Sequence, residues 1–286
     1  MVICFAKLHG LGNDFMVVNS SQISQNNYSL FAKNVCKRRF GVGADGVIFF
    51  DKKGSSTEIT ASMQIFNSDG TEAEVSGNGL RCLAALLIHS GHDSNKCIYI
   101  STKAGLKSLQ YISSNFPEYS FYQDMGEPIF DLKRMGYTPS QAGFTKNHDQ
   151  IKIGKSNYKI IVSSIGNPHC SLFVDDLNCL DWMSLGKKIE FHPGFGSRTN
   201  VEFIQVKNPK KIEVRFWERG VGQTNFSGTG ACAALVASVL AGFTERKVQV
   251  ESSGGASEVC WNSENNLSLT GAAHLVFEGK YYKENL

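Results

Sequence analysis

SGNGLRCLAALLIHSG (76–91) and SGTGACAALVASVLAG (227–242) decide how this chain is organised. Each opens with serine, glycine, a variable residue and glycine, and each runs through apolar residues to a glycine fifteen positions after the serine. Ahead of each lies a strand-like segment, MQIF (63–66) or VRFW (214–217). A polar residue then stands nine before the serine, Asn67 or Glu218, and a turn containing glycine follows. The offset of 151 holds without a gap through this block. Further out, the eight residues from Ile98 to Gly105 correspond to those from Val248 to Gly255, and Gly12-Asn13-Asp14 corresponds to Gly166-Asn167-Pro168. Self-similarity over this length marks a duplicated structural unit.

The unit reads as α+β. Runs of β-branched and aromatic residues, VIFF (47–50), KCIYI (96–100), YKIIVSS (158–164) and SLFV (171–174), predict strands, and the longest helical patterns are the two that follow the SGxG turns. Those helices are apolar nearly all round, as a helix enclosed by strands must be. The expected fold is two pseudo-symmetric halves, each a curved, mostly antiparallel sheet wrapped around one central helix. The first half is expected over 1–125 and the second over 126–270, with a crossing at Met125-Gly126-Glu127-Pro128. The stretch 130–152, rich in glycine, proline and polar residues, is read as a loop or linker.

Of 286 residues 42% are apolar, enough for two ordinary cores. The net charge is +3 and the 29 Lys and Arg form no basic run, so nothing calls for nucleic acid, and a small-molecule partner is favoured. Neither a leader pattern nor a window of about 18 apolar residues is found, so a soluble, cytoplasmic protein without membrane contact is expected. Eight cysteines lie scattered with no C-x-x-C pair, which argues against zinc and against a disulfide framework, and most are expected to be small buried hydrophobes. The glycine-rich turns fit neither a phosphate loop nor a dinucleotide fingerprint, so no cofactor and no metal is expected.

A serine and two glycines at a helix start admit two readings. Backbone N–H groups without intrahelical partners, helped by the helix dipole, can cradle a carboxylate, and glycine lets backbone approach the ligand and take positive φ. Equally, Ser76 and Ser227 can be plain N-caps. Two such turns in symmetric repeats favour the cradle. If both face one ligand, they suit a reaction symmetric at one carbon, in which a proton leaves one face of an amino-acid α-carbon and another arrives on the opposite face.

FAKLHGLGNDF (5–15), RRFGVGADGV (38–47), FNSDGTEAEVSGNGLRC (66–82), GNPHC (166–170), RTNVEF (198–203) and ERGVGQTNFSGTGACA (218–233), in this order, resemble the diaminopimelate epimerases. The resemblance implies two similar halves with an active site in the cleft between them, the tail GAAHLVFEGKYY (271–282) returning to the first sheet so that 271–286 joins the N-terminal half. It implies that Asn13, Asn67, Asn167, Asn200 and Arg219 hold the distal amino-acid end of the substrate. Gly77, Asn78, Gly228 and Thr229 would hold the reacting carboxylate through backbone N–H groups, with His169 and Glu218 nearest the reacting centre and Glu218 also contacting substrate. The family's two catalytic cysteines fall on Ser76 and Ser227, so the chain is expected to be inactive or severely impaired in converting LL- to meso-diaminopimelate without a cofactor. The residues leave other uses open: Glu218 and Arg219 can be a structural pair, Asn167-Pro168 a turn, and a lone His169 a satisfied structural histidine. Cys82 and Cys232 lie within the apolar helices and are read as core. An inactive paralogue that binds substrate, or a racemase or isomerase of another amino acid, remains an alternative; a homodimer is allowed and not required.

Overall fold

The computed structural model describes residues 2–53, 59–91, 97–139 and 147–282. The chain divides into two compact units, Met1–Gln123 with Gly271–Leu286, and Asp124–Thr270. The division falls inside strands Glu118–Gly126 and Leu267–Tyr282.

In the first unit, Val2–Gly10 and Asn13–Asn19 form a hairpin whose turn places Leu11 at φ 53° and Gly12 at φ 79°. Asn13–Asn19 pairs in parallel with Gly46–Lys52, which pairs antiparallel with Ala61–Asn67. That strand pairs with the short Glu72–Ala73 and, in parallel, with Ile98–Thr102, which begins a run of hairpins through Gly105–Asn115 and Glu118–Gly126. The tail comes back antiparallel on Val2–Gly10, with Val2 opposite Tyr282 and His9 opposite His274.

The second unit repeats this order strand for strand. Ser156–Ser164 pairs with Pro168–Phe173, which is parallel to Asn200–Asn208 and through it joins Lys211–Glu218. Lys211–Glu218 carries the short Gly222–Thr224 and the parallel Lys247–Ser252, and the hairpin Gly255–Trp261 follows. The repeat seen in the sequence is therefore a repeat of topology, because each parallel step needs a crossover of the same hand and each antiparallel step a short turn.

Each unit closes around the helix that follows its SGxG turn. Gly77–His89 buries every residue from Asn78 to Leu87, and Leu80, Cys82, Leu83, Ala84 and Ala85 pack with Leu8, Phe15, Ile48, Ile65 and Phe121. Gly228–Leu240 is buried from Gly230 to Ser238. Fully burying one leucine or valine contributes about 1.5–3 kcal/mol, so these helices anchor their sheets without any exposed polar face.

The structure differs from the sequence reading in three places. The stretch 130–152 is not all loop: Leu132–Met135 is one helical turn capped by Asp131, and His148–Ile153 is a strand paired with Ser156–Ser164; residues 140–146 lie outside the described residues. The strand expected over 96–100 runs Ile98–Thr102, with Lys96 outside the described residues. Cys36, Cys82, Cys170 and Cys232 are buried and Cys260 is intermediate, but Cys4, Cys97 and Cys179 are exposed, Cys4 on the outward side of its alternating strand and the other two outside strands.

The SGxG glycines are also not at positive φ. The second glycine is required by packing: a Cβ on Gly230 would meet Phe216 Cδ1 at 2.9 Å and Glu202 Oε1 at 3.1 Å, and on Gly79 it would meet Ile65 Cδ1 at 3.2 Å. At Gly228 the nearest atoms stand at 3.8 Å, ordinary contact distance. Gly230→Ala should therefore destabilise by about 1–3 kcal/mol through overpacking, whereas Gly228→Ala should cost nothing measurable in urea unfolding. Equal losses at both positions would contradict the packing argument.

Candidate active site

In the first unit, Ser76 is the N-cap, extended at φ −137°, and its side chain accepts from Gly79 N at 3.1 Å. The first turn-closing bond runs from Leu80 N to Ser76 O, so the N–H groups of Gly77 and Asn78 precede the helical ladder and point out of its end. Asn78, whose backbone is in this turn, sends Nδ2 toward Asn13 Oδ1 at 3.4 Å, while the buried Arg81 guanidinium donates to Asn78 Oδ1.

Asn13 is held from the other side. Its Nδ2 donates to Asp45 Oδ2 at 2.9 Å, and the backbone N–H groups of Asp14 and Asp45 each donate to the other's carboxylate at 3.0 Å. Arg38 bridges both acids, forked on Asp14 at 2.9 and 3.1 Å and on Asp45 at 2.8 Å. Lys7 completes the set at 2.6 Å from Asp14 and donates to Gly43 O. Burial alone would raise the Asp14 carboxyl, but hydrogen bonds from Arg38 and Lys7 outweigh it and leave it at about 2. Asn67 pairs with Gly46, next to Asp45, and its Nδ2 donates to Thr71 Oγ1 at 3.0 Å.

In the second unit, Ser227 is the buried N-cap, accepting from Gly230 N at 3.3 Å, with Gly228 and Thr229 in the turn ahead of the bond from Ala231 N to Ser227 O. His169 is buried with both ring nitrogens engaged, Nδ1 at 2.6 Å from Glu202 Oε1 and Nε2 at 2.9 Å from Asn167 Oδ1. Ser171 donates to the other oxygen of Glu202 at 3.1 Å. Asn200, opposite His169 in the parallel ladder, donates from Nδ2 to Pro168 O and accepts from Arg219 N, both at 2.9 Å. Glu218 ends its strand close to Thr224, Ser227 and His169; burial pushes its carboxyl above the ordinary range, and these polar neighbours offset part of the rise. Arg219 is exposed, with Nη1 donating to Ser197 O at 3.2 Å.

The family model described as diaminopimelate epimerase matches residues 5–130 and 161–276. A diaminopimelate epimerase of Synechocystis sp. is 40% identical over 282 residues, covering 98% of this chain and 99% of the relative. One of Desulfitobacterium hafniense is 40% identical over 283 residues, covering 98% of each. The chain belongs to the diaminopimelate epimerase family. Among solved structures, a Bacillus anthracis phenazine biosynthesis protein of the PhzF family matches with TM-score 0.65 at 16% identity over 99% of this chain and all of that one. A hydroxyproline epimerase from Agrobacterium vitis matches with TM-score 0.65 at 13% identity over 98% and 92%. These two share the fold of the diaminopimelate epimerase family member described here.

Within each unit the residues singled out from the sequence gather at the N-terminus of the central helix. Asn13, Ser76, Gly77 and Asn78 do so in the first unit, with Asn67 one strand away. Ser227, Gly228 and Thr229 do so in the second, with Glu218 beside Ser227, His169 beside Glu218, and Asn167 and Asn200 around His169, while the Arg219 side chain lies exposed on Ser197 O. The sequence reading missed the supports: Asp14, Asp45, Arg38 and Lys7 around Asn13, and Glu202 beneath His169. Glu202 had a signal, a carboxylate in the middle of the apolar run VEFI. Cys82 is fully buried within its helix, and burial pushes its thiol up to about 12, which removes it as a base. Among the described residues no helix is long and apolar enough to cross a membrane, and no group of three or more His, Cys, Asp or Glu could hold a metal.

Because the folded-state pKa of Asp14 is depressed, its contribution to stability is complete above about pH 4 and is lost as pH falls through about 2. Asp14→Asn should remove that part of the acid-induced loss. Acid-unfolding curves of the two proteins should converge near pH 2 and separate above it; parallel curves throughout would show that the ion network stabilises nothing.

Proposed function

We propose that this chain binds diaminopimelate as its family does, and that with serine at both acid–base positions it interconverts the LL and meso forms very slowly. The reading supports a cytoplasmic protein of lysine and peptidoglycan-precursor metabolism that acts on a small molecule. The N–H groups of Gly77, Asn78, Gly228 and Thr229 would anchor the reacting carboxylate. Asn13, Asn67, Asn167, Asn200 and Arg219 would hold the distal amino-acid end. His169 and Glu218 would stand beside the reacting carbon.

The observation that carries the reading is the pair of serine N-caps. Removing an α-proton needs a group basic enough to take it and, on the other face, an acid to return one. A cysteine at a helix N-terminus can supply both, since its thiol has a reference pKa of about 8.5 and the helix end lowers it. A serine hydroxyl is a far weaker acid and needs an adjacent base. His169 and Ser227 both neighbour Glu218, and the two nitrogens of His169 already face Glu202 and Asn167. The binding groups, in contrast, are backbone N–H groups and residues other than the serines, so affinity does not depend on the missing thiols.

Ser76→Cys with Ser227→Cys should raise LL to meso conversion by at least about a thousandfold, the scale on which acid–base partners act at both faces, while either single change raises it little. Conversion assays on the four chains check this; rapid turnover by the serine form would overturn the proposal and point to Glu218 or His169 as a competent base.

A further inference from the structure

Glu190 is the last residue of helix Trp182–Glu190, a position where the helix dipole disfavours a carboxylate, and it is buried. A charge placed against both local rules needs strong compensation. Two donors bond it and one cation stands nearby. Trp217 Nε1 donates to Oε2 at 2.8 Å, Gly220 N donates to Oε1 at 2.9 Å, and Arg198 Nη1 stands 3.7 Å from Oε1. Arg198 is itself at φ 61°, its guanidinium 4.4 Å over the Phe191 ring.

The two donors flank Glu218 and Arg219. Trp217 precedes them in the strand, and Gly220 is the third residue of the turn closed by Val221 N to Glu218 O at 3.0 Å. Gly220 sits at φ 76°, as a turn of this kind requires at that position. Helix and strand approach closely enough for Glu190 to reach because Gly186, one turn earlier, lies against Trp217: a Cβ there would be 2.9 Å from Trp217 Cβ. The Arg219 N–H is taken by Asn200, so the turn is gripped at Arg219 by an amide and at Gly220 by a carboxylate.

We infer that Glu190 is a positioning residue that holds the Glu218–Val221 turn, and so aims Arg219 at the far carboxylate of the ligand. The inference rests on the diaminopimelate reading for its ligand, but the grip on the turn does not. Charge-assisted bonds to a buried carboxylate are worth more than neutral ones, and an amide oxygen in its place supports both donors poorly. Among the described residues, Glu190 is the carboxylate that Gly220 N reaches.

The test begins on ligand-free protein labelled with nitrogen-15 at tryptophan and glycine. In Glu190→Gln the Trp217 indole and Gly220 amide resonances should move, and Gly220 exchange with solvent should speed up about tenfold or more. Calorimetry then compares diaminopimelate with 2-aminoheptanoate, which lacks the distal amino-acid end. Diaminopimelate affinity should fall about tenfold, 2-aminoheptanoate affinity should hold, and the loss should vanish in an Arg219→Ala background. A merely structural role would weaken both ligands and persist without Arg219, and would overturn the inference, as would unmoved resonances. If the starting chain binds no diaminopimelate, the proposed function fails and the resonances alone decide this inference. Should Glu190→Gln not fold, Trp217→Phe, which removes one donor and keeps the carboxylate, decides instead: unchanged Gly220 exchange counts against the grip.

Discussion

A helix with no polar face can exist in water only if strands cover it on every side. Gly228–Leu240 is that case, buried from Gly230 to Ser238, and Gly77–His89 is its counterpart with Asn78 to Leu87 buried. The N-terminal turn is then the place where such a helix meets polar chemistry, because its first N–H groups have no partner in the helix. The serine caps satisfy one donor each, at Gly79 and Gly230. Strand ends bring polar residues beside each turn, Asn13 at Asn78 in the first unit and Glu218 at Ser227 in the second.

The two turns are alike in backbone and unlike in charge. Behind the first lies a buried guanidinium, Arg81, donating to Asn78. Beneath the second lies an acidic set, Glu202 with His169 and Ser171, with Glu218 beside Ser227. A duplicated scaffold therefore carries different side chains behind its two equivalent turns. A Cβ on Gly230 would run into Glu202 itself, so the acidic support and the glycine of the turn constrain each other.

The duplication and the two central helices were legible because both are patterns over many residues: an ungapped offset of 151 through the helix blocks, and apolar runs too continuous for a surface helix. The ends of elements were less so. Leu132–Met135 is a single turn held by the Asp131 cap, and four residues carry no periodicity to read. Asn13 and Asn200 could be named from motifs, but not their supports. Asp45 reaches Asn13 from 32 residues away, and Glu190 reaches Gly220 from 30, through packing that no local spacing encodes. The N-cap and cradle readings of Ser76 and Ser227, which looked like rivals in the sequence, are compatible in three dimensions, since the hydroxyl caps the third N–H and leaves the turn ahead of it pointing outward.

On the function proposed above, the groups that hold a diaminodiacid remain while those that move its proton do not. Proton NMR of diaminopimelate in deuterium oxide reports both at once, since binding broadens the ligand signals in proportion to protein and exchange erases the α-proton signal. Broadening should lessen as diaminopimelate is raised in excess over the protein, with the α-proton signal persisting over hours. Loss of the α-proton signal within minutes, or sharp lines at every protein concentration, would contradict the proposed function.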